Sequence, residues 1–362
     1  MAKYNLVIGA GASNDINPVF GLGKDLLDQI QERVIDKNTP HQRYLSDILM
    51  NQLGIKYSYL FQFYHHLEEY RRRVKNPSID EFLFEINSFP EFEALRADFN
   101  RIGIFCIMFH VLGWESEFAG KVNINEVPSW VYSIYQFLVL KDVLDSERMD
   151  LLRIVTFNYD RTLEYILFNL FYYNPKYKKS LPKIVEWINK NIVHVYGKIG
   201  SMPELLTPEQ NKNKEKPPVP FGMPHRRTDI ILKNMDNIHL IQQNRIIADK
   251  QLDIFIQSIR NTQVHNPTIT EEQLMQDPNY RELGIFGFNF DYINCRTIAL
   301  NNLSYKVKVK ANIYPFIDDE FIYRREMTNK IRNMFNNGEL HYYSCSSFVE
   351  LFLNNKLPSG GI

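Results

Sequence analysis

Cysteine is scarce in this chain: Cys106, Cys295 and Cys345 stand far apart among 362 residues, and no C-x-x-C pair occurs. A zinc ribbon and a dithiol redox site are excluded, and the three thiols read as small buried apolar residues. A charge excess of either sign is also missing, since Lys plus Arg equals Asp plus Glu at 42 each. The net charge therefore gives no electrostatic reason to expect nucleic acid or an anionic membrane as partner. No uninterrupted apolar stretch approaches the roughly 20 residues of a membrane helix, and no signal or transit segment is read before the first apolar run. The expectation is a soluble, cytoplasmic protein without a metal.

What is present begins at residues 5–13, N-L-V-I-G-A-G-A-S. The apolar run predicts a buried parallel strand. Gly9 and Gly11, flanking Ala10, permit a tight turn and close backbone approach, and free N–H groups beyond them, toward Ser13, can hold a phosphate. The third glycine of the dinucleotide fingerprint is absent, with Asn14 and Asp15 following instead. Leu26, Leu27, Ile30 and Val34 then recur at helical spacing, completing a strand, turn and helix.

From residue 40 to 150 the texture changes to long amphipathic segments rich in aromatics, which predicts a helical insertion within one α/β domain spanning 1–362. The S-x-x-E spacing of Ser78 and Glu81, just ahead of Phe82 and Leu83, predicts a helix starting near Ile79. The run Arg71, Arg72 and Arg73 reads as a solvated helix terminus, where cations favour the negative end of the dipole.

Sheet texture returns at residues 151–157 and stops at Asn158, Tyr159, Asp160 and Arg161. Further strands are predicted at 192–197, ending His194, Val195, Tyr196, Gly197, and at 284–289, ending Gly287, Phe288, Asn289 before Phe290 and Asp291. A strand near 305–309, a helix over 320–335 and a last strand and helix over 340–353 follow, with a charged surface loop, expected to be mobile, at 211–218. In an open parallel sheet ligands bind beyond the carboxyl ends of the strands, so tips carrying Gly, Asn, Asp and His describe one crevice. The fold class expected is a Rossmann-like parallel sheet flanked by helices, with a large helical insertion.

G-A-G-A-S near the start, T-F-N-Y-D-R in mid-chain, H-V-Y-G next and G-F-N-F-D late keep the order and rough spacing of sirtuin motifs. The chain resembles the sirtuin-like NAD-consuming domain of bacterial antiphage defence, and S-I-D-E-F-L at 78–83 is similar to a segment of such proteins. The resemblance implies that the glycine turn cradles the NAD diphosphate. Thr156, Asn158 and Asp160 correspond to T-Q-N-I-D, with Asn158 on the nicotinamide ribose or a water and Asp160 facing the carboxamide. Gly287 and Asn289, followed by Asp291, match the late segment near the adenosine ribose, although sirtuins carry serine where Asn289 stands. Sirtuins also place the histidine directly before a glycine, whereas here Tyr196 precedes Gly197. Residues i and i+2 of a strand share a face, so His194 is the expected base, and Tyr196 the fallback, whose phenol ordinarily loses its proton only near pH ~10.

The activity implied is hydrolysis of NAD+ to nicotinamide and ADP-ribose as the toxic effector of an abortive-infection system. The alternatives are an NAD or ADP-ribose sensor or scaffold without catalysis, and a protein ADP-ribosyl or acyl transferase. A deacylase of this family carries a zinc-bearing lobe, for which the cysteine pairs are missing. The resemblance also implies control by a homo-oligomer or by an accompanying ATPase, nucleotide-processing enzyme or Argonaute protein. Aromatic helices such as residues 57–70 suit such an interface, although the same spacing is that of ordinary core.

Overall fold

The computed structural model describes residues 3–35, 40–74, 77–121, 129–144, 148–207, 216–240, 250–260, 276–277, 280–288, 290, 292–304, 306–313, 320–335 and 338–357. Its strands are β1 (Tyr4–Ile8), β2 (Leu152–Thr156), β3 (Ile192–His194), β4 (Arg281–Phe286), β5 (Val307–Asn312) and β6 (Glu339–His341). They form one sheet in the order β3-β2-β1-β4-β5-β6, every neighbouring pair parallel. This is the doubly wound Rossmann strand order, with its switch point between β1 and β4.

Every residue of β1 to β4 is buried, which is why these strands read as continuous apolar runs. Alternate residues enter two cores. Tyr4, Leu6 and Ile8 join Leu152, Ile154 and Ile192 in one of them, while Val7, Val155, Val193, Leu283, Ile285 and Val309 join the other.

The long connection between β1 and β2 is helical as expected. It holds α1 (Ala10–Ile16), α2 (Gly23–Ile35), α3 (Pro40–Asn51), α4 (Tyr57–Arg73), α5 (Ile79–Ser88), α6 (Arg96–Lys121) and α7 (Trp130–Leu140). The apolar faces of α2 to α6 are continuous with the core above Val7 and Val155, whereas α7 packs into the opposite core. With it there are α8 (Thr162–Tyr172) and α9 (Leu181–Asn191), which connect β2 to β3, and the helix after β6, Cys345–Leu353. The insertion thus supplies helices to both faces of the sheet.

Among the described residues, α6 is the one helix long and apolar enough to cross a membrane by length and composition, and 67% of that stretch is buried in the fold. All three cysteines are free and buried, as their composition suggested. Burial pushes the Cys106 thiol up to about 12, so it stays protonated near neutral pH.

The start of α5 fits its sequence signature with one change. Ser78 Oγ accepts the Glu81 N–H at 3.2 Å, but the Ser78 N–H is donated to Tyr70 Oη, which itself donates to Glu81 Oε2 at 2.7 Å. Tyr70 is interposed in the reciprocal half of the box. Ser78→Ala is expected to lower stability by about 1 kcal/mol, read as a shift in the denaturant midpoint. In the last turn of α4, Arg71, Arg72 and Arg73 pair with Asp28, Glu68 and Glu85, consistent with a solvated terminus.

One expectation differs from the structure and another falls mostly beyond what it describes. The strand predicted over 192–197 ends at His194, because the Gly197 N–H turns back to the His194 carbonyl at 3.2 Å with Gly197 at φ 74°. Most of the loop predicted at 211–218 lies outside the described residues.

Candidate functional site

The site is organised by the close approach of the β1 and β4 tips. The Gly9 N–H is donated to the Phe286 carbonyl at 3.3 Å and the Gly11 N–H to the Gly287 carbonyl at 3.0 Å. A β-carbon on Gly9 would overlap the Gly287 carbonyl oxygen and lie 2.9 Å from Phe288 Cα. Gly287, at φ 62°, has its own missing β-carbon pressed against the backbone of Ala12 and Gly11. The sequence predicts a tight turn at Gly9 and Gly11, with the N–H groups for phosphate beyond them, toward Ser13. In the structure the two glycines join neighbouring strands, and both of their N–H groups have protein partners. Ala10 opens α1, and Trp130 of α7 pins that helix by donating Nε1–H to the Ala12 carbonyl at 2.8 Å.

Around this crossing the tips of β1, β2 and β3 are joined by hydrogen bonds. Asn158 Nδ2 donates to Ser13 Oγ at 2.8 Å, and Ser13 Oγ donates to Asp160 Oδ1 at 3.1 Å. Asp160 Oδ1 also accepts the Thr162 N–H at 3.1 Å, capping the start of α8, while Thr156 Oγ1 accepts the Asn158 N–H at 3.0 Å. Ser13, Thr156, Asn158, Asp160 and His194 are all buried. Asn158 Oδ1 is buried with no hydrogen-bond partner among the described residues. An orphaned buried acceptor carries a desolvation cost of about 1–3 kcal/mol, which a ligand hydroxyl or water would relieve. Burial pushes the Asp160 carboxyl above its ordinary value, against the lowering effects of Thr162, Ser13 and the His194 charge.

His194 lies beside Thr156 in the β2–β3 register. Its Nδ1 is 2.7 Å from the Asn158 carbonyl oxygen and its Nε2 is 2.7 Å from Glu164 Oε1 on α8. Lys198 Nζ donates to the same carboxylate oxygen at 3.2 Å. Burial alone would raise Glu164, but the charges of His194 and Lys198, with the hydrogen bond from His194, outweigh it and hold the carboxyl below the ordinary range. A carboxyl lowered in this way stabilises the fold above its unfolded value of 4.5, and that contribution is lost as the pH falls through the lower folded value.

Tyr196 does not share the face of His194. It packs against Phe157 and Tyr159 in the opposite core, and its hydroxyl donates to Asn294. Gly197 bridges Ile238, with the Asn237 carbonyl where a β-carbon would stand. The alternation that was expected to bring residues 194 and 196 together ends with the strand.

The residues flanking Asp160 are held by the helical insertion. Tyr159 donates its hydroxyl to Asp80 at the start of α5. Arg161, fully buried, pairs with the fully buried Glu115 of α6, whose Oε1 accepts both the Arg161 N–H at 2.9 Å and Nε–H at 3.1 Å. The Arg161 guanidinium also donates to the carbonyls of Gly200, Val219 and Pro220. Sequence reasoning missed Glu115, Glu164 and Lys198. The available signal was a lone acid: Glu164 is the only charged residue of α8, and Glu115 follows a long apolar run of α6.

The late segment is partly visible. Gly287 stands at the crossing described above, while Asn289 and Asp291 lie outside the described residues. Among the described residues no group of three or more His, Cys, Asp or Glu side chains is placed to hold a metal ion.

The fold and this site define an α/β protein with a Rossmann-order sheet and a buried polar network at its strand tips. A scan against protein-family models returns no match, and neither does a search of curated proteins.

Proposed function

We propose that this chain is an NAD+ glycohydrolase, with NAD+ as its substrate and the crevice beyond the tips of β1, β2, β3 and β4 as its site. The observation that carries the reading is the joining of Ser13, Asn158, Asp160 and His194 in one buried hydrogen-bond network at the switch side of the sheet. Dinucleotides occupy that position in sheets of this order. The Asn158 Oδ1 acceptor, without a partner among the described residues, supports the assignment of this residue to the substrate ribose or to the attacking water.

In the reaction the bond between ribose C1′ and the nicotinamide nitrogen breaks, and nicotinamide leaves with the electron pair. Water adds to the oxocarbenium-like carbon and its surplus proton passes to solvent, giving nicotinamide, ADP-ribose and a proton. Little machinery is needed beyond orientation of the ribose and carboxamide. Asn158 is assigned to the ribose hydroxyl or water, Asp160 to the carboxamide, and Ser13 with α1 to the diphosphate side. With the Gly9 and Gly11 N–H groups engaged by β4, the glycines act here through close approach.

The order of the four motifs supports assigning this activity to an antiphage effector that depletes NAD+. Such an enzyme needs control, which we assign to self-assembly or to a protein encoded nearby, of the ATPase, nucleotide-processing or Argonaute type. Tyr57 and Phe61, 50% and 66% exposed on α4, support a contact there, while Phe63, Tyr64, Leu67 and Tyr70 of the same helix are core. A second reading, binding of NAD or ADP-ribose without turnover, is favoured by the engagement of both His194 nitrogens.

Asn158→Ala and His194→Ala are each expected to lower nicotinamide release by about a hundredfold or more, with far-ultraviolet circular dichroism unchanged. Full turnover in either folded variant would remove that residue from the site.

A further inference from the structure

His194 is placed between two groups that can only accept. Its Nδ1 faces the Asn158 carbonyl oxygen at 2.7 Å, and its Nε2 faces Glu164 Oε1 at 2.7 Å. A neutral imidazole carries one N–H, so it can satisfy only one of these contacts and would turn a lone pair toward the other oxygen. An imidazolium satisfies both. The surroundings agree: the His194 side chain is 4% exposed and that of Glu164 1%, so water does not take the place of a missing partner.

The charges facing the ring come from Glu164 in the first turn of α8, Lys198 after β3 and Asp160 after β2. The Glu164 carboxylate is the one in direct contact. The Lys198 ammonium shares Oε1 with the ring, and the second oxygen of Glu164 is buried without a partner among the described residues.

We propose that Glu164 is a positioning residue: it holds His194 as an imidazolium whose Nδ1–H is donated to the Asn158 carbonyl, fixing the segment that presents the Asn158 side chain. Its catalytic consequence rests on the glycohydrolase reading above. His194 then takes no proton during the reaction, because neither ring nitrogen offers a lone pair. It acts through Asn158, one residue along the hydrogen-bond chain from Ser13 and Asp160.

The test has two arms on the full chain. In the first, histidine is labelled with 15N and the imidazole nitrogens are read by long-range 1H–15N NMR at pH 7, with His194→Gln used to assign the signal. Two protonated nitrogens are expected in the wild type and one in Glu164→Gln, whose amide keeps the shape but not the charge. A singly protonated His194 in the wild type overturns the proposal, whatever the activity, and this result needs no variant that might fail to fold. Lys198→Ala, which removes a cation at the edge of the pair, is expected to leave both protons in place.

The second arm measures nicotinamide release from NAD+ between pH 5.5 and 8. The wild type is expected to be flat across this range. Glu164→Gln is expected to fall by about a hundredfold at pH 8 and to recover toward pH 5.5, where solution protons restore the second N–H. A wild-type rate that climbs with pH through the imidazole range would mark His194 as a general base and overturn the proposal. No release by any protein, with both nitrogens protonated, would instead refute the glycohydrolase reading and leave the Glu164–His194 pair standing.

Discussion

Glu115→Ala is expected to cost about 3–5 kcal/mol of stability, the range for removing one partner of a buried ion pair. Glu115 and Arg161 are both fully buried, and truncating the acid removes the counter-charge of a buried guanidinium and the acceptor of the Arg161 N–H. A loss of that size is a large fraction of the 5–15 kcal/mol that holds a typical domain together. Burial pushes the Glu115 carboxyl above its ordinary value despite Arg161. The pair is therefore held against its own desolvation, and the group binds its proton more tightly in the folded than in the unfolded chain. Stability from this group is complete below the unfolded value and declines as the pH rises through the folded one.

Unlike some buried pairs, this one is not expected to be replaceable by two apolar residues. Arg161 also serves the Gly200, Val219 and Pro220 carbonyls, so Glu115→Met with Arg161→Leu leaves those acceptors without their donor. Urea unfolding of the single and double variants checks both statements. An unfolding free energy within a few tenths of a kcal/mol of wild type for Glu115→Ala would show that the pair contributes nothing. Because Arg161 adjoins Asp160, any folded fraction of the single variant is also expected to lose activity.

Gly287→Ala is the second large effect, expected at about 2–5 kcal/mol from backbone strain and overpacking together. Gly287 holds φ 62°, and an added methyl group would overlap the Ala12 nitrogen and lie 2.9 Å from the Gly11 carbonyl carbon. Those atoms are main chain in the first turn of α1, so no side chain can rotate out of the way. The β4 tip must separate from β1, which disturbs the hydrogen bond where Ser13 meets Asn158. Gly120→Ala is the control: among the described residues nothing lies within 4 Å of its β-carbon position in α6, and the change is expected to be neutral or to stabilise by up to about 1 kcal/mol. Thermal unfolding of the two variants side by side distinguishes them.

Much of the fold was legible because buried parallel strands and glycine turns leave local marks. The run ending at Gly9, the arrest of sheet texture at Asn158 and the return at residue 284 lie on β1, β2 and β4, and the aromatic texture after residue 40 is helical. Ser13, Asn158 and Asp160 were legible as polar residues at strand ends, and the structure joins them. What was not legible is pairing at a distance. Glu115 is 46 residues from Arg161 and Glu164 is 30 from His194, and no periodicity encodes either contact. The parting of His194 from Tyr196 escaped notice for a different reason: alternation holds only while the strand lasts, and the turn that ends β3 depends on Gly197 meeting the segment around Asn237 and Ile238. The engagement of the Gly9 and Gly11 N–H groups was not legible either, because their partners, the Phe286 and Gly287 carbonyls, lie far along the chain.

The most direct test of the central claim is to incubate the purified chain with NAD+, alone and with the proteins encoded beside it, and to quantify nicotinamide and ADP-ribose over time. Equimolar release of the two products, abolished in Asn158→Ala, is the predicted result. NAD+ that binds and stays intact in every mixture would contradict the account and identify the crevice as a sensor.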